Sequence, residues 1–168
     1  MEPDDLNEVD YKIIKDFSKI DYEELDQVPL GFLIENIHNY YSVYMNKKLK
    51  NKNLTLVHSY IMLILFNEKN INQETIASIL NINEVTATRV IGSLEDNGYV
   101  IRKIDENDKR KKIVNLTEKG REMVKILIDY SDDDEKMINE LISTEELHIL
   151  RVLMKKLLIS INELILRN

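Results

Sequence analysis

The sequence contains no cysteine, and it has only four glycines and two prolines among its 168 residues. The absence of cysteine excludes disulfide bonds, thiol nucleophiles and thiolate metal ligands. Few glycines and prolines, with 43% hydrophobic and 32% charged residues, are typical of a globular, helix-rich chain and exclude the collagen-like and low-complexity classes. The length corresponds to a single domain, plain or elaborated.

Long hydrophobic runs are also absent, so no segment of the sequence could span a bilayer. The first ten residues, MEPDDLNEVD, are acidic where a secretory signal would be basic and then apolar. We therefore expect a cytoplasmic protein without a membrane partner.

The negative charge is concentrated at one end of the chain. The net charge is −7, and residues 1–28 alone hold ten acidic residues against three lysines, which also amounts to −7. Residues 29–168 hold twenty acidic and twenty basic residues and are neutral overall. We interpret 1–28 as an acidic N-terminal extension, and the net charge does not exclude a local basic patch elsewhere.

The spacing of apolar residues predicts a mainly helical fold. The predicted helices cover 30–50, 55–67, 73–80, 84–97, 117–141 and 143 onwards, with one or two short helices over 10–25. Side chains that can accept a hydrogen bond from a free backbone amide mark several helix starts: Asn72, Asn83, Thr117 and Ser143. Two segments with alternating apolar residues, 99–104 and 113–116, predict a β-hairpin with a charged tip.

A short helix, a three-residue turn and a second helix form the pattern of a helix-turn-helix, which presents its second helix to the DNA major groove. Helical geometry places Ala87, Val90 or Ile91, and Leu94 of this second helix towards the core. The predicted DNA-facing residues of the second helix are Asn83, Val85, Thr86, Thr88, Arg89 and Ser93. Hydroxyl groups can bond to phosphates or base edges, arginine can bind guanine in a bidentate manner, and a helix N-terminus favours phosphate.

The charged hairpin behind this helix supports the DNA interpretation. Residues 99–112 hold six bases and three acids, and four of the bases are consecutive: Lys109, Arg110, Lys111 and Lys112. Such a run is usually a solvated face, but next to a recognition helix it suits phosphate and minor-groove contact.

Taken together, residues 80–120 resemble the winged helix of the multiple antibiotic resistance regulator (MarR) family. The resemblance rests on Thr86-Ala87-Thr88-Arg89, Leu94-Glu95-Asp96-Asn97-Gly98-Tyr99-Val100, Asp105-Glu106-Asn107-Asp108-Lys109-Arg110 and Leu116-Thr117-Glu118-Lys119-Gly120. It implies that Asp108 orients the wing and that Arg110 enters the minor groove. Asn107 departs from the pattern, because the family usually has arginine there.

The resemblance implies a homodimeric repressor that binds a pseudo-palindromic DNA duplex. It predicts a helical dimerisation region over 29–54 and 117–168 and a winged helix-turn-helix DNA-binding domain over 55–116. It further implies release from DNA by a small aromatic or anionic ligand. Candidate residues for lining the ligand pocket are His38, Tyr41, Tyr44 and His58.

Other functions are less compatible with the sequence. No glycine-rich phosphate loop, nucleophile elbow or paired-carboxylate motif is present, so we expect no enzyme and no cofactor. The three histidines are scattered without metal-ligand spacing, so we expect no metal site. The remaining alternative is a winged helix that serves only in protein interaction or dimerisation; steeply salt-dependent DNA binding would distinguish the two.

Overall fold

The structure is a computed structural model, and it describes residues 21–104, 109 and 111–167. The predictions that fall on residues 1–20, on Asp108 and on Arg110 lie outside the described residues. The described chain forms two compact units, which divide between Val57 and His58 within one helix.

The helices agree with the expected mainly helical fold. They are α1 (Leu30–Leu49), α2 (Leu56–Asn67), α3 (Gln73–Ile79), α4 (Glu84–Asp96), α5 (Glu118–Leu141) and α6 (Thr144–Arg167), with short 3-10 helices at Tyr22–Gln27 and Lys50–Lys52. The predicted bounds are confirmed to within about a residue at most ends. Of the prediction over 10–25, residues 10–20 lie outside the described residues, and the described part contains one short 3-10 helix, Tyr22–Gln27, without a buried residue.

Local capping explains why these helices begin where they do. The side chain of Asn72 accepts from the Thr75 amide at 2.8 Å, and that of Asn83 accepts from the Thr86 amide at 2.8 Å. At the start of α6, the amide and hydroxyl of Ser143 both donate to Glu146, and the Glu146 amide donates to the Ser143 hydroxyl. These are the capping interactions that the sequence predicts.

Three antiparallel strands form the sheet, in the order β1, β3, β2. The strands are β1 (Ile71–Asn72), β2 (Val100–Ile104) and β3 (Lys112–Leu116). The predicted hairpin is confirmed, with a register running from Val100 opposite Leu116 to Ile104 opposite Lys112. The sequence analysis missed β1, because two residues are too short to show an alternating pattern.

Reciprocal hydrogen bonds between two asparagines extend the pairing of β1 with β3. The Asn70 amide donates to Asn115 Oδ1 at 3.1 Å, and Asn115 Nδ2 donates to Asn70 Oδ1 at 3.1 Å. Asn70 has a φ of 56°, a left-handed conformation that asparagine tolerates better than most residues.

The unit from residue 58 onwards has its own apolar core. The side chains almost completely buried there are Ile61, Met62, Ile76, Ile91, Leu94, Val100, Val114 and Val124. They come from α2, α3, α4, α5 and the sheet, so burial of each element stabilises the others. Among the described residues, no helix combines the length and the apolar character that a bilayer span requires.

One glycine in α5 is required by close packing rather than by its backbone conformation. An ideal Cβ at Gly120 would lie 2.1 Å from the carbonyl oxygen of Tyr99 and 3.0 Å from the Leu116 side chain. A backbone oxygen cannot move away as the end of a flexible side chain can. Any other residue at 120 must therefore push α5 away from the start of β2.

We predict that Gly120→Ala destabilises the protein by about 1–3 kcal/mol, the usual cost of overpacking. Unfolding in urea followed by circular dichroism measures this change. The matched control is Gly31→Ala in α1, where nothing lies within 4 Å of the added Cβ. That substitution should be neutral or stabilising, since alanine is the better helix former. Equal stability of both variants would contradict the packing argument.

Candidate nucleic-acid interface

The two helices of the helix-turn-helix are held together by a tight turn. The amide of Asn81 donates to the Ser78 carbonyl at 3.1 Å, and the amide of Ile82 donates to the Ala77 carbonyl at 3.0 Å. Asn81 adopts a left-handed φ of 50°. The turn directs the chain from α3 into the cap of α4 at Asn83.

The buried and exposed sides of α4 are those that helical periodicity predicts. Ala87, Val90, Ile91 and Leu94 are all buried. On the other side, the exposed residues are Asn83, Val85, Thr88 and Arg89, whereas Thr86 and Ser93 are half-buried. Val85 is 79% exposed although its side chain is apolar.

Thr88 makes two hydrogen bonds inside the protein. Its hydroxyl donates to the Glu84 carbonyl at 2.7 Å, one turn back along α4. The same hydroxyl accepts from Nε2 of Gln73, the first residue of α3. Thr88 therefore connects the N-terminal ends of the two helices.

An ion pair fixes the wing, which is the hairpin of β2 and β3, to the end of α4. The guanidinium of Arg102 in β2 lies 2.7 Å from Glu95 Oε2, and the Arg102 amide donates to Glu95 Oε1 at 3.1 Å. The hydrogen bonds from Arg102 hold the pKa of Glu95 below its ordinary value. Arg102 is one of the six bases counted in the hairpin, but its charge is used internally.

Thr117 and Lys119 hold the other end of β2. The Thr117 hydroxyl donates to the carbonyls of Gly98 at 2.7 Å and Tyr99 at 3.2 Å, and accepts from the Gly120 amide at 3.0 Å. Lys119 Nζ donates to the Asn97 carbonyl at 2.7 Å and lies 4.7 Å from the centroid of the Tyr99 ring. This arrangement gives a physical reason for the Leu-Thr-x-x-Gly motif: it fixes α5 to the turn between α4 and the wing.

The described wing lysines differ in their surroundings. Lys109 and Lys112 are exposed, whereas Lys111 is half-buried and its Nζ lies 3.8 Å from Glu74 Oε2. A cleft of about 180 Å³ separates the wing from the N-terminal ends of α3 and α4. Its lining consists of Asn72, Gln73, Glu74, Glu84, Lys111 and Lys112.

The sequence analysis did not single out Gln73 and Glu74 for this surface. Their position directly after the Asn72 cap was the available signal, because the first turn of α3 lines the same cleft as Lys111 and Lys112.

The residues predicted to bind a ligand divide between the two compact units. On α1, His38 and Tyr44 are exposed and Tyr41 is half-buried. The Tyr41 and Tyr44 ring centroids are 6.3 Å apart, and Lys48 Nζ lies 5.7 Å from the Tyr44 centroid. His58 on α2 is buried, and this burial lowers its pKa, so its imidazole is neutral at pH 7. Within the part of the chain that the structure describes, no group of three or more histidine or acidic side chains could hold a metal ion.

Comparison with known proteins agrees with this geometry. Residues 54–112 match the model of the MarR family. The matched segment contains α2, α3, α4 and β2, and thus the helix-turn-helix and the first strand of the wing.

Two curated relatives are described as HTH-type transcriptional regulators. BilQ of Clostridioides difficile is 25% identical over 105 residues, which cover 62% of this chain and 71% of BilQ. SarZ of Staphylococcus epidermidis is 28% identical over 98 residues, which cover 58% of this chain and 64% of SarZ.

Solved structures share the fold over most of the chain. A MarR crystal structure superimposes with a TM-score of 0.75 at 21% identity, covering 86% of this chain and 96% of that one. The Staphylococcus aureus MepR–DNA complex gives 0.73 at 22% identity, covering 79% and 98%. A MarR transcriptional regulator from Methanosarcina mazei gives 0.71 at 27% identity, covering 79% and 96%. The expected winged helix-turn-helix architecture is thereby confirmed.

The ion pair between the wing and α4 predicts a pH-dependent stability. Because the pKa of Glu95 is lowered in the folded state, its contribution is present above the ordinary glutamate pKa near 4.5 and is lost as the pH falls through the lowered value. We expect Glu95→Gln to lower the melting temperature at pH 7 by about 1–3 °C, since a part-exposed pair contributes at most about 1 kcal/mol. The difference from the unsubstituted protein should narrow towards pH 3.

Melting curves between pH 3 and pH 7 test this expectation, with Glu140→Gln on the exposed side of α5 as the control. A difference for Glu95→Gln that stays constant over the whole pH range would show that the carboxylate charge is not what stabilises the wing.

Proposed function

We propose that this protein is a transcriptional regulator that binds double-stranded DNA. The observation that carries the proposal is the exposed face of α4, with Val85, Thr88 and Arg89, beside a wing that bears lysines. The match to the MarR-family model and the similarity in fold to MepR, which was solved in complex with DNA, support it. The cytoplasmic location expected from the sequence agrees with this role.

In this proposal α4 enters the major groove and the wing contacts the adjacent backbone. Arg89 contacts a base or a phosphate, and the exposed Lys109 and Lys112 neutralise phosphates. The free amides at the start of α4, next to Asn83, favour a further phosphate contact. Thr86, Ser93 and Lys111 complete the described part of the surface, and Asp108 and Arg110 are assigned to the wing tip by the family resemblance alone.

Binding to DNA through several phosphates must weaken steeply with salt, because each neutralised phosphate releases counterions. Fluorescence anisotropy with labelled duplexes between 50 and 200 mM salt therefore tests the function. The duplexes are the DNA upstream of the protein's own gene and a random sequence of equal length. Salt-dependent binding with preference for the upstream duplex is expected. Absence of binding at low salt would favour a protein-interaction module instead.

Arg89→Ala should weaken binding to the preferred duplex by about 1–3 kcal/mol and reduce its preference over random DNA, since one base contact is lost. Lys136→Ala removes a positive charge from an exposed position of α5 and is the matched control. Equal loss on both duplexes would identify Arg89 as a phosphate contact. Unchanged binding would remove Arg89 from the interface.

We also propose that the protein is a homodimer and that α6 contributes to the interface. Only Leu147 of α6 is buried, while a continuous apolar stripe remains exposed. The exposed residues of the stripe are Leu150, Leu153, Met154, Leu158, Ile161, Leu164 and Ile165, and Leu157, which lies among them, is half-buried. Exposed apolar patches of this extent mark interaction sites, and a two-fold dimer would place two copies of α4 about 34–36 Å apart, one turn of DNA.

Charged residues within this stripe should dissociate the dimer. We expect the double variant Leu150→Glu, Ile161→Glu to have half the mass of the unsubstituted protein by light scattering, because burying both carboxylates is unfavourable. Lys156→Glu lies on the polar side of α6 and should leave the mass unchanged. A monomeric unsubstituted protein at micromolar concentration would contradict the proposal directly.

The finer part of the proposal is repression that a small ligand relieves. The paired rings of Tyr41 and Tyr44, with Lys48 beside Tyr44, form an aromatic and cationic surface on α1 that suits an aromatic or anionic compound. His38 and His58 are further candidates. Such a ligand releases DNA only if it binds the DNA-incompetent arrangement more tightly than the competent one.

A further inference from the structure

The hydroxyl of Thr88 cannot donate a hydrogen bond to DNA without breaking an internal contact. A hydroxyl has one proton, and that of Thr88 is donated to the Glu84 carbonyl at 2.7 Å. The group that faces its oxygen must then be a donor, and this is Nε2 of Gln73. The two contacts use the proton and one of the two lone pairs of the hydroxyl.

These contacts also fix the orientation of the side chain. Glu84 lies one turn back on α4, and Gln73 is half-buried at the start of α3, so the hydroxyl is directed towards the protein. Thr88 as a whole is nevertheless exposed. The remaining substituent on its Cβ is the methyl group, which is the part of the side chain left to face outward.

A second exposed apolar group lies beside this methyl. Val85 precedes Thr88 by three residues, so the two side chains are neighbours on one face of the helix. Val85 is 79% exposed, and its side chain ends only in methyl groups. The face that α4 offers is thus apolar at both positions, with the charged Arg89 one residue further along.

From this arrangement we infer that Val85 and Thr88 recognise thymine by contact with its C5-methyl group. The inference rests on the proposed function, since it assumes that α4 enters the major groove. In that groove only thymine among the four bases presents a methyl group, and apolar side chains or threonine methyls are its usual partners. Threonine at position 88 then acts through its methyl, while its hydroxyl positions α3 against α4.

The experiment replaces thymidine in the duplex by deoxyuridine, which lacks the C5-methyl group and pairs with adenine in the same way. A preferred duplex is first selected by the full-length protein from a random pool. Each thymine is then replaced singly, and affinities are measured by anisotropy. We expect a loss of about three- to fivefold at one or two thymines per half-site, the effect of one methyl contact.

Two substitutions at position 88 separate its methyl from its hydroxyl. Thr88→Val retains a methyl group and should keep the sensitivity to deoxyuridine. Thr88→Ser lacks the methyl group and should bind the thymine-containing duplex about three- to fivefold more weakly. Replacement of the thymine that Thr88 contacts by deoxyuridine should then cause no further loss of affinity in Thr88→Ser. Val85→Ala should lose sensitivity at a different thymine. Thr144→Ser, at the start of α6, is the matched control and should behave as the unsubstituted protein. Circular dichroism of each variant verifies its folding.

The outcomes distinguish this inference from the proposed function. Failure of the unsubstituted protein to select or bind any duplex would overturn both. Tight binding with no sensitivity to deoxyuridine at any thymine would overturn the methyl contact and leave DNA binding intact. Deoxyuridine sensitivity that Thr88→Ser retains at every thymine would overturn the role of Thr88, because its methyl group would then not be the group in contact with thymine.

Discussion

The peptide of Tyr99 is the point on which the geometry of the winged helix depends. Its carbonyl oxygen accepts hydrogen bonds from both the amide and the hydroxyl of Thr117. The same oxygen would clash with a Cβ at residue 120. The end of α4, the start of β2 and the start of α5 therefore meet within a few ångströms. These short contacts to backbone atoms fix α5 to the start of β2, and the ion pair of Arg102 with Glu95 fixes the wing to α4.

Charged residues divide into those that build this surface and those left to act on it. Arg102 is bound to Glu95, and Lys119 is bound to the Asn97 carbonyl and the Tyr99 ring. The wing lysines lie further out, and of these Lys111 is near Glu74. A count of basic residues along the hairpin therefore overestimates the charge that a phosphate backbone would meet.

Two acidic residues lie close to the lysines of the wing. Glu74 and Glu84 line the same cleft as Lys111 and Lys112. Their charges oppose an approaching phosphate, and exposed pairs of this kind contribute little to stability. Under the proposed function, these charges limit non-specific affinity for DNA, and specific contacts along α4 then carry a larger share of the discrimination between DNA sequences.

Structural features that depend only on neighbouring residues along the chain could be predicted from the sequence. Helix starts at Asn72, Asn83 and Ser143 were predictable because each cap bonds within three residues, and the buried side of α4 followed from helical periodicity. Tertiary structure alone decided β1, whose two residues acquire a partner only 41 to 43 positions away, and the use of Arg102 by Glu95. It also decided the role of Thr88: its sequence position allows either a hydroxyl or a methyl to face DNA, and only the approach of Gln73 from another helix determines which.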